Sequence, residues 1–587
     1  VPHKRLARQK KIDFRLHVWR VLVIVVFLIL LGGLFFFQIA QGDRYIQLAT
    51  ENRFRLLQIS PPRGIIYDAR GLPLAKNVRT FDIKGYPSEL YREGNLERVA
   101  AIFQKHGIPA GAEELRRKVR SQYWAPYRAV SLASNLTLMQ IMDLVGDLDF
   151  PAWLFPFPVW KRTYPAGGLG AHVTGYVGEI TEEELREKYS QGYSAGEQIG
   201  KTGIEASYDR WLRGATGEEA IEVDAKGRRL HLLARRDPQR GKDLHLTLDL
   251  GAQKMAENLM AGKNGVLLAM DVFTGDIPVL YSAPTYDPNL FSWGASSREW
   301  RNIRMDPRRP MLNRAIGGHY PPGSIFKPVP SIAGLVSGQI TSRSTAFCNG
   351  GYQVGNRRFR CWNKWGHGTE NLKEALRDSC DVFFYHYGLL MGIDLLQEWA
   401  SRMGMGAITG IDLPGEIAGT VAGREWKQRY RKEPWYPGDT ANYSIGQGFL
   451  LITPLQAGVL YAALANGGYL VEPRVAFERE LRSRDIGISP SVLRQVEEGL
   501  VAVCRPGGTG YRAGEFGISV AGKTGTAQNA HGEDHAWFAG YGPVDSPRYV
   551  AIALVEGGGH GSSVAAPLVG EMLSYLCKGY LEEKEEE

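Results

Sequence analysis

Three groups of residues in this 587-residue chain have the types and spacing needed for covalent chemistry. The first is Ser324 with Lys327, in HYPPGSIFKP. Tyr320-Pro321-Pro322-Gly323 stops the preceding element, and Ser324 stands where a helix can begin. Residues three apart on a helix share a face, so the hydroxyl and the amine would be neighbours. A lysine acts as a base only when its pKa falls, which burial and the positive end of a helix dipole both promote. Such a pair can carry nucleophilic acyl transfer without a histidine. Taken alone, the same spacing also describes a serine N-cap beside a surface lysine.

Two further stretches change that weighing. Ser379-Cys380-Asp381 lies in LRDSCDVFFYHYG, and Lys523-Thr524-Gly525-Thr526 lies in the alternating, strand-like GISVAGKTGTAQ. S-x-x-K, S-x-[DN] and K-T-G in this order form the signature set of penicillin-binding proteins and serine β-lactamases. The chain resembles the class B penicillin-binding proteins, and among them the elongation-specific type. The resemblance covers nearly the whole chain. ENRFRLLQISPPRGIIYDARGLPLAKN, YPAGGLGAHVTGYVGEI and GIEASYDRWLRGATG look like that family's membrane-proximal pedestal motifs. NRAIGGHYPPGSIFKP, REWKQRYRKEPWYPGDT, SIGQGFLLITPLQ and HAWFAGY look like its transpeptidase domain, the second of them favouring the elongation over the division type. No region resembles a glycosyltransferase domain, which separates it from the bifunctional class A members.

The resemblance implies peptidoglycan cross-linking. Ser324 would attack the D-Ala-D-Ala carbonyl of a stem peptide, with Lys327 taking its proton and Ser379 relaying a proton to the leaving amine. Lys523, aided by Thr524 and Thr526 of the Lys523-Thr524-Gly525-Thr526 element, would hold the terminal carboxylate. Backbone N–H groups of Ser324 and Thr526 would form the oxyanion hole. β-Lactams would acylate Ser324. Asp381 stands where Asn is more usual; an ionised Asp accepts but cannot donate, which puts an amide-like donor role in doubt. No E-x-x-L-N element lies between Asp381 and Lys523, so fast β-lactam hydrolysis is not expected. A SEDS-family glycosyltransferase is the implied partner, meeting the anchor and pedestal, together with other elongation-complex proteins. The other readings are a membrane-anchored β-lactam sensor and a non-catalytic scaffold that activates the polymerase.

Three segments imitate these motifs. Lys201-Thr202-Gly203 is a second K-T-G, but it precedes Ser324 and opens a helical pattern. Ser483-Arg484-Asp485 fits S-x-[DN] in a polar stretch. Gly517 to Thr524 matches G-x-x-x-x-G-K-T, yet the intervening residues alternate like a strand and no helix pattern follows, as a phosphate loop would need.

Cys348, Cys361, His367 and Cys380 cluster within 33 residues among glycine turns. A Cys3His zinc site fits the residue types, although the spacing is not that of a compact knuckle. Some elongation-type members carry a four-ligand zinc site at corresponding places, with Asp where Cys348 and Cys361 stand here. A Cys348–Cys361 disulfide or free thiols remain open. Cys504 and Cys577 sit in apolar helical patterns and read as core. His172, His535 and His560 read as structural, and Trp537 and Phe538 as core aromatics. No organic cofactor is implied.

The elements that must position these groups follow from hydropathy and charge. Of the +8 formal charge, most sits in residues 1–20, where seven basic residues face Asp13 alone. A local tail of this kind gives no nucleic-acid surface. Val21–Phe37 carries no polar side chain, and 21–42 reads as an uncleaved transmembrane anchor rather than a signal peptide. The basic flank places the N-terminus inside, with single-pass anchorage in the cytoplasmic (inner) membrane and the bulk in the periplasm or exterior. Residues 43–240 read as an elongated, dimerisation-like pedestal, 241–580 as a transpeptidase domain of serine β-lactamase type, and 581–587 as an acidic disordered tail. The fold class is multidomain α/β (α+β).

Overall fold

The structure, a computed structural model, describes residues 2–42, 54–120, 129–194, 196–223, 229–529 and 532–586. Pro2–Phe35 is one helix, continued by a π-helical turn, Phe36–Ala40. The basic segment is thus helical from its start and runs straight into the apolar one. An 18-residue window within Arg15–Ala40 has a mean hydropathy of 2.9, and this is the one helix among the described residues long and apolar enough to cross a membrane.

The chain forms two compact units. The first comprises 1–61, 79–160 and 215–239, and the second 62–78, 161–214 and 240–587. The segments 62–78 and 161–214, though early in sequence, therefore share contacts with the C-terminal part. In the first unit, Phe54–Ile59, Gly217–Val223 and Arg229–Arg236 form an antiparallel sheet. Helices Asn95–Lys105 and Ala112–Arg120 bury Val99, Phe103, Leu115 and Val119 in a core of their own with Ile83 and Leu132.

In the second unit, two of the stretches that carry the family likeness meet, together with Arg162, in a buried ionic cluster. Arg63 donates to Glu205 Oε2 from Nε (3.1 Å) and Nη2 (2.8 Å), and its Nη1 lies 2.8 Å from Asp209 Oδ1. Arg162 donates from Nε to Glu205 Oε1 (2.5 Å) and from Nη1 to Gly64 O (2.7 Å). Glu205 is wholly buried.

The centre of this unit is a five-stranded antiparallel sheet in the order Val279–Ala283, Gly265–Asp271, Tyr549–Val555, His535–Gly542, Ala521–Ala527. Gly265–Asp271 is buried at every position, as a strand covered on both faces must be. Leu250–Leu259 and Gly561–Glu586 cover one face, sharing a core with Val279, Phe538 and Ala553. Pro454–Ala465, buried at nearly every position, packs with the other. The last helix carries the acidic 581–586 stretch in its final turns, where the sequence predicts disorder; Leu, Glu and Lys are strong helix formers.

Candidate active site

Ser324 does not cap an α-helix, as the sequence predicts; it lies in a 3-10 turn, Gly323–Phe326, and Lys327 caps the helix Pro328–Ser337. Pro328 explains the offset: proline suits a first helical position, so the helix starts there. The Lys327 N–H donates to Ser324 O at 3.2 Å, which keeps the two side chains on one turn.

Lys327 Nζ is fully buried and donates three hydrogen bonds: to Ser379 O (2.8 Å), Ser379 Oγ (3.1 Å) and Asp381 Oδ1 (2.8 Å). The other Asp381 oxygen accepts from the Trp362 N–H at 3.1 Å. Asp381 therefore works as an acceptor on both oxygens, a job an Asn amide nitrogen could not do. Burial pushes its pKa up, and Lys327 opposes that rise. It also begins the helix Asp381–Arg402, where a negative charge meets the positive end of the dipole.

Ser379 sits in the left-handed region at φ 54°. It follows the helix Leu372–Arg377; its N–H bonds Leu376 O and the Cys380 N–H bonds Ala375 O. That is a Schellman ending, whose left-handed position is ordinarily glycine. Keeping serine there costs about 1 kcal/mol of strain and retains the hydroxyl that Lys327 contacts.

Lys523 lies on the sheet's edge strand and is fully buried, its Nζ 3.3 Å from Thr524 O. Burial, then the neighbouring Lys327 charge, hold its pKa well below the usual lysine range. Strand alternation puts Thr524 and Thr526 on the opposite face from Lys523. Thr524 Oγ1 donates to Thr509 Oγ1 at 3.1 Å, so it cannot donate to a ligand at the same time.

Backbone packing against backbone holds these elements together. A β-carbon on Gly323 would lie 2.9 Å from Thr526 O, one on Gly525 3.0 Å from Pro322 O, and one on Gly446 2.1 Å from Gly323 O. Gly323 N–H donates to Gly446 O (2.9 Å), and Gln447 Nε2 to Thr526 O (3.3 Å). Gly446, Gln447 and Trp362 are the site residues that sequence reasoning passed over. The glycine-flanked glutamine in SIGQG was their only local signal.

Cys348, Cys361, His367 and Cys380 also converge. Their ligand atoms all lie within 4.8 Å of one another, against the roughly 3.8 Å edge of a tetrahedron with zinc–sulfur bonds of about 2.3 Å. All five cysteines are free thiols. His367 Nε2 is buried without a hydrogen-bond partner. The Cys380 thiol, then His367, hold Cys361 down to about 3, and Cys361 in turn raises His367 to about 9. A thiolate beside an imidazole is the donor chemistry a soft divalent metal takes, so the residues fit one.

The imitating segments lie elsewhere. Lys201 pairs with Glu184 at 2.5 Å and Gly203 starts a short helix. Ser483–Asp485 is an exposed strand. Lys523 lies within strand Ala521–Ala527, which leads through 528–534 to its antiparallel partner His535–Gly542, so the glycine-lysine match does not open a helix. His172 is buried against Pro310 O, Trp537 and Phe538 are fully buried, and Cys504 and Cys577 belong to the core.

The fold and this convergence define a class. Residues 265–574 match the penicillin-binding protein transpeptidase domain, and 58–246 the penicillin-binding protein dimerisation domain. The peptidoglycan D,D-transpeptidase MrdA of Escherichia coli K12 is 34% identical over 94% of this chain and 92% of its own. A penicillin-binding protein (PBP2) from Helicobacter pylori, solved in complex with MreC, superposes with a TM-score of 0.82 at 32% identity, covering 90% of this chain and all of that one. A chain of a peptidoglycan synthase complex, described as coordinating polymerization and crosslinking, matches at a TM-score of 0.73 and 29% identity over 95% of this chain and 98% of its own. The chain belongs to the class B penicillin-binding proteins. Within them it is a homologue of the MrdA (PBP2) enzymes and carries their transpeptidase domain.

Proposed function

We propose that this protein is a peptidoglycan D,D-transpeptidase that cross-links stem peptides through an acyl-enzyme on Ser324. The observation that carries the reading is the buried Lys327 amine, placed at once against Ser379 Oγ and Asp381. The base is the neutral form of that amine: Ser324 Oγ attacks the carbonyl of the D-Ala-D-Ala bond as its proton passes to Lys327 Nζ, and the resulting ammonium shares it with Ser379. That pair then protonates the departing D-Ala amine, and an acceptor amine resolves the ester. Asp381 fixes the Lys327 amine. Backbone N–H groups of Ser324 and Thr526 stabilise the oxyanion, at about 3 kcal/mol per donor. The Thr526 hydroxyl, joined by Thr524 once its proton turns away from Thr509, receives the terminal carboxylate, and Lys523 supplies positive charge from the other face of the strand.

Zinc on Cys348, Cys361, His367 and Cys380 would brace the turn that carries Ser379 and Asp381. Elemental analysis of metal-replete protein should find one zinc per chain, and its absence would rule this out. The N-terminal helix anchors the chain in the cytoplasmic membrane as a single span, N-terminus inside. Residues 43–240 act as pedestal and 241–580 carry the acyl transfer. A SEDS-family glycosyltransferase is the working partner; the relative solved with MreC and the synthase complex favour assembly with elongation proteins.

Intact-protein mass spectrometry after penicillin treatment tests the reading. One β-lactam should map to the peptide containing Ser324 and vanish in Ser324→Ala; an adduct that persists would overturn the assignment.

A further inference from the structure

The geometry points to a second binding surface beside the cleft: a groove on the helix Arg424–Arg431 that takes a carboxylate-bearing peptide, the stem-peptide chain of the wall polymer beyond the bond that reacts. The inference rests on the transpeptidase reading above.

The groove is open to solvent and offers about 690 Å³, room for a short peptide segment to lie along it. Its cations are not all spoken for. Arg424 pairs with Asp394 (3.1 Å), while Lys427, on the helix's buried side and outside the groove's lining, pairs with Asp439 (2.6 Å) and Glu433 (3.6 Å). Arg429 and Lys432 are exposed and have no acidic partner among the described residues. Lys432 ends the helix at φ 60°, ψ 30°. Glycine is the residue that position ordinarily takes, so a lysine is kept there against backbone strain.

Trp435 forms the groove's wall. Its Nε1 donates to Thr440 Oγ1 at 2.8 Å, so the polar edge is engaged and the ring is left for packing. The wall is tied to the chemistry by a run of rings: Trp435 to Tyr443 (6.2 Å), and Tyr443 edge-on to Phe326 (5.6 Å), two residues after Ser324. Trp435 also meets Phe449, just past the Gly446–Gln447 segment that touches Gly323 and Thr526. A ligand lying in the groove is therefore held by the elements that shape the cleft. Glu425 lines the same groove, which disfavours a sheet of anionic lipid headgroups and suits a peptide that offers both N–H groups and carboxylates.

The test uses the full-length chain in detergent, with un-cross-linked glycan strands bearing pentapeptide stems as the probe. In the double variant Arg429→Ala, Lys432→Gly, KM for the strands should rise about tenfold, the loss of one to two charge-assisted contacts. The rise should shrink at high salt and with amidated stems, while kcat holds. Lys432→Gly alone relieves the left-handed strain, so its Tm should hold or climb while KM still rises; an unchanged KM would make Lys432 a mere helix end. The inference is overturned if KM does not move, if amidated strands lose as much, or if the variants lose only binding to anionic vesicles. Acylation of Ser324 by penicillin in the unmodified protein is a separate arm: its failure sinks the transpeptidase reading, whatever the groove does.

Discussion

Two clusters of buried charge in the second unit solve opposite problems. Around Glu205 the cations are Arg63 and Arg162, each forked onto carboxylate or carbonyl oxygens, with side chains 8% and 1% exposed. Around Ser379 they are Lys327 and Lys523, both fully buried. Arginine stays charged under all folding conditions and offers a rigid fork, whereas a buried lysine can surrender its proton. The first cluster is a strut. The second holds the acid–base chemistry, and burial there keeps the Lys523 pKa well below the usual lysine range.

Substitutions break that contrast in a graded way. Lys327→Arg keeps the charge beside Asp381 and removes the base; acylation by a fluorescent penicillin, per folded molecule, should fall about a thousandfold or more. A rate within tenfold would show that Lys327 acts only as a countercharge. Glu205→Ala leaves Arg162 buried without a carboxylate and Arg63 with Asp209 alone, and should cost about 3–5 kcal/mol of stability in a denaturant titration, with acylation by the folded fraction unchanged. Smaller, and opposite in sign, is Lys523→Met. The folded-state pKa lies below the unfolded one, so the unfolded chain binds the proton more tightly and the native lysine destabilises. That penalty is present at neutral pH and fades as pH rises through the ordinary lysine value of about 10.4. The variant's Tm should exceed the parent's by a few degrees at pH 7 and match it near pH 10.5, although acylation is lost. An equal gain at both values would mean that packing, not proton affinity, is responsible.

Much of the site was legible because its chemistry demands particular residue types at short range: a serine three before a lysine, and a lysine at a glycine-broken strand. The strand that carries Lys523 and the long apolar helix after the basic tail followed from alternation and hydropathy. What escaped was set by tertiary contact. Nothing local says that the Trp362 N–H will cap Asp381, because the two lie 19 positions apart with a strand and a helix between them. The left-handed Ser379 was invisible for the same reason, since propensity alone would put glycine there. Nor could a linear reading show 62–78 and 161–214 sharing a core with the C-terminal unit.

The glycine seam at Gly323, Gly446 and Gly525 has an evolutionary consequence. A methyl group would meet a backbone oxygen at 2.1 Å on Gly446 and 2.9 Å on Gly323, both at positive φ, and at 3.0 Å on Gly525, so lineages under drug selection are held to glycine most tightly at the first two. Escape variants must arise on the rim, at side chains such as Gln447 that touch the strand without being wedged into it. Sequencing of isolates selected on β-lactams should find the seam unchanged.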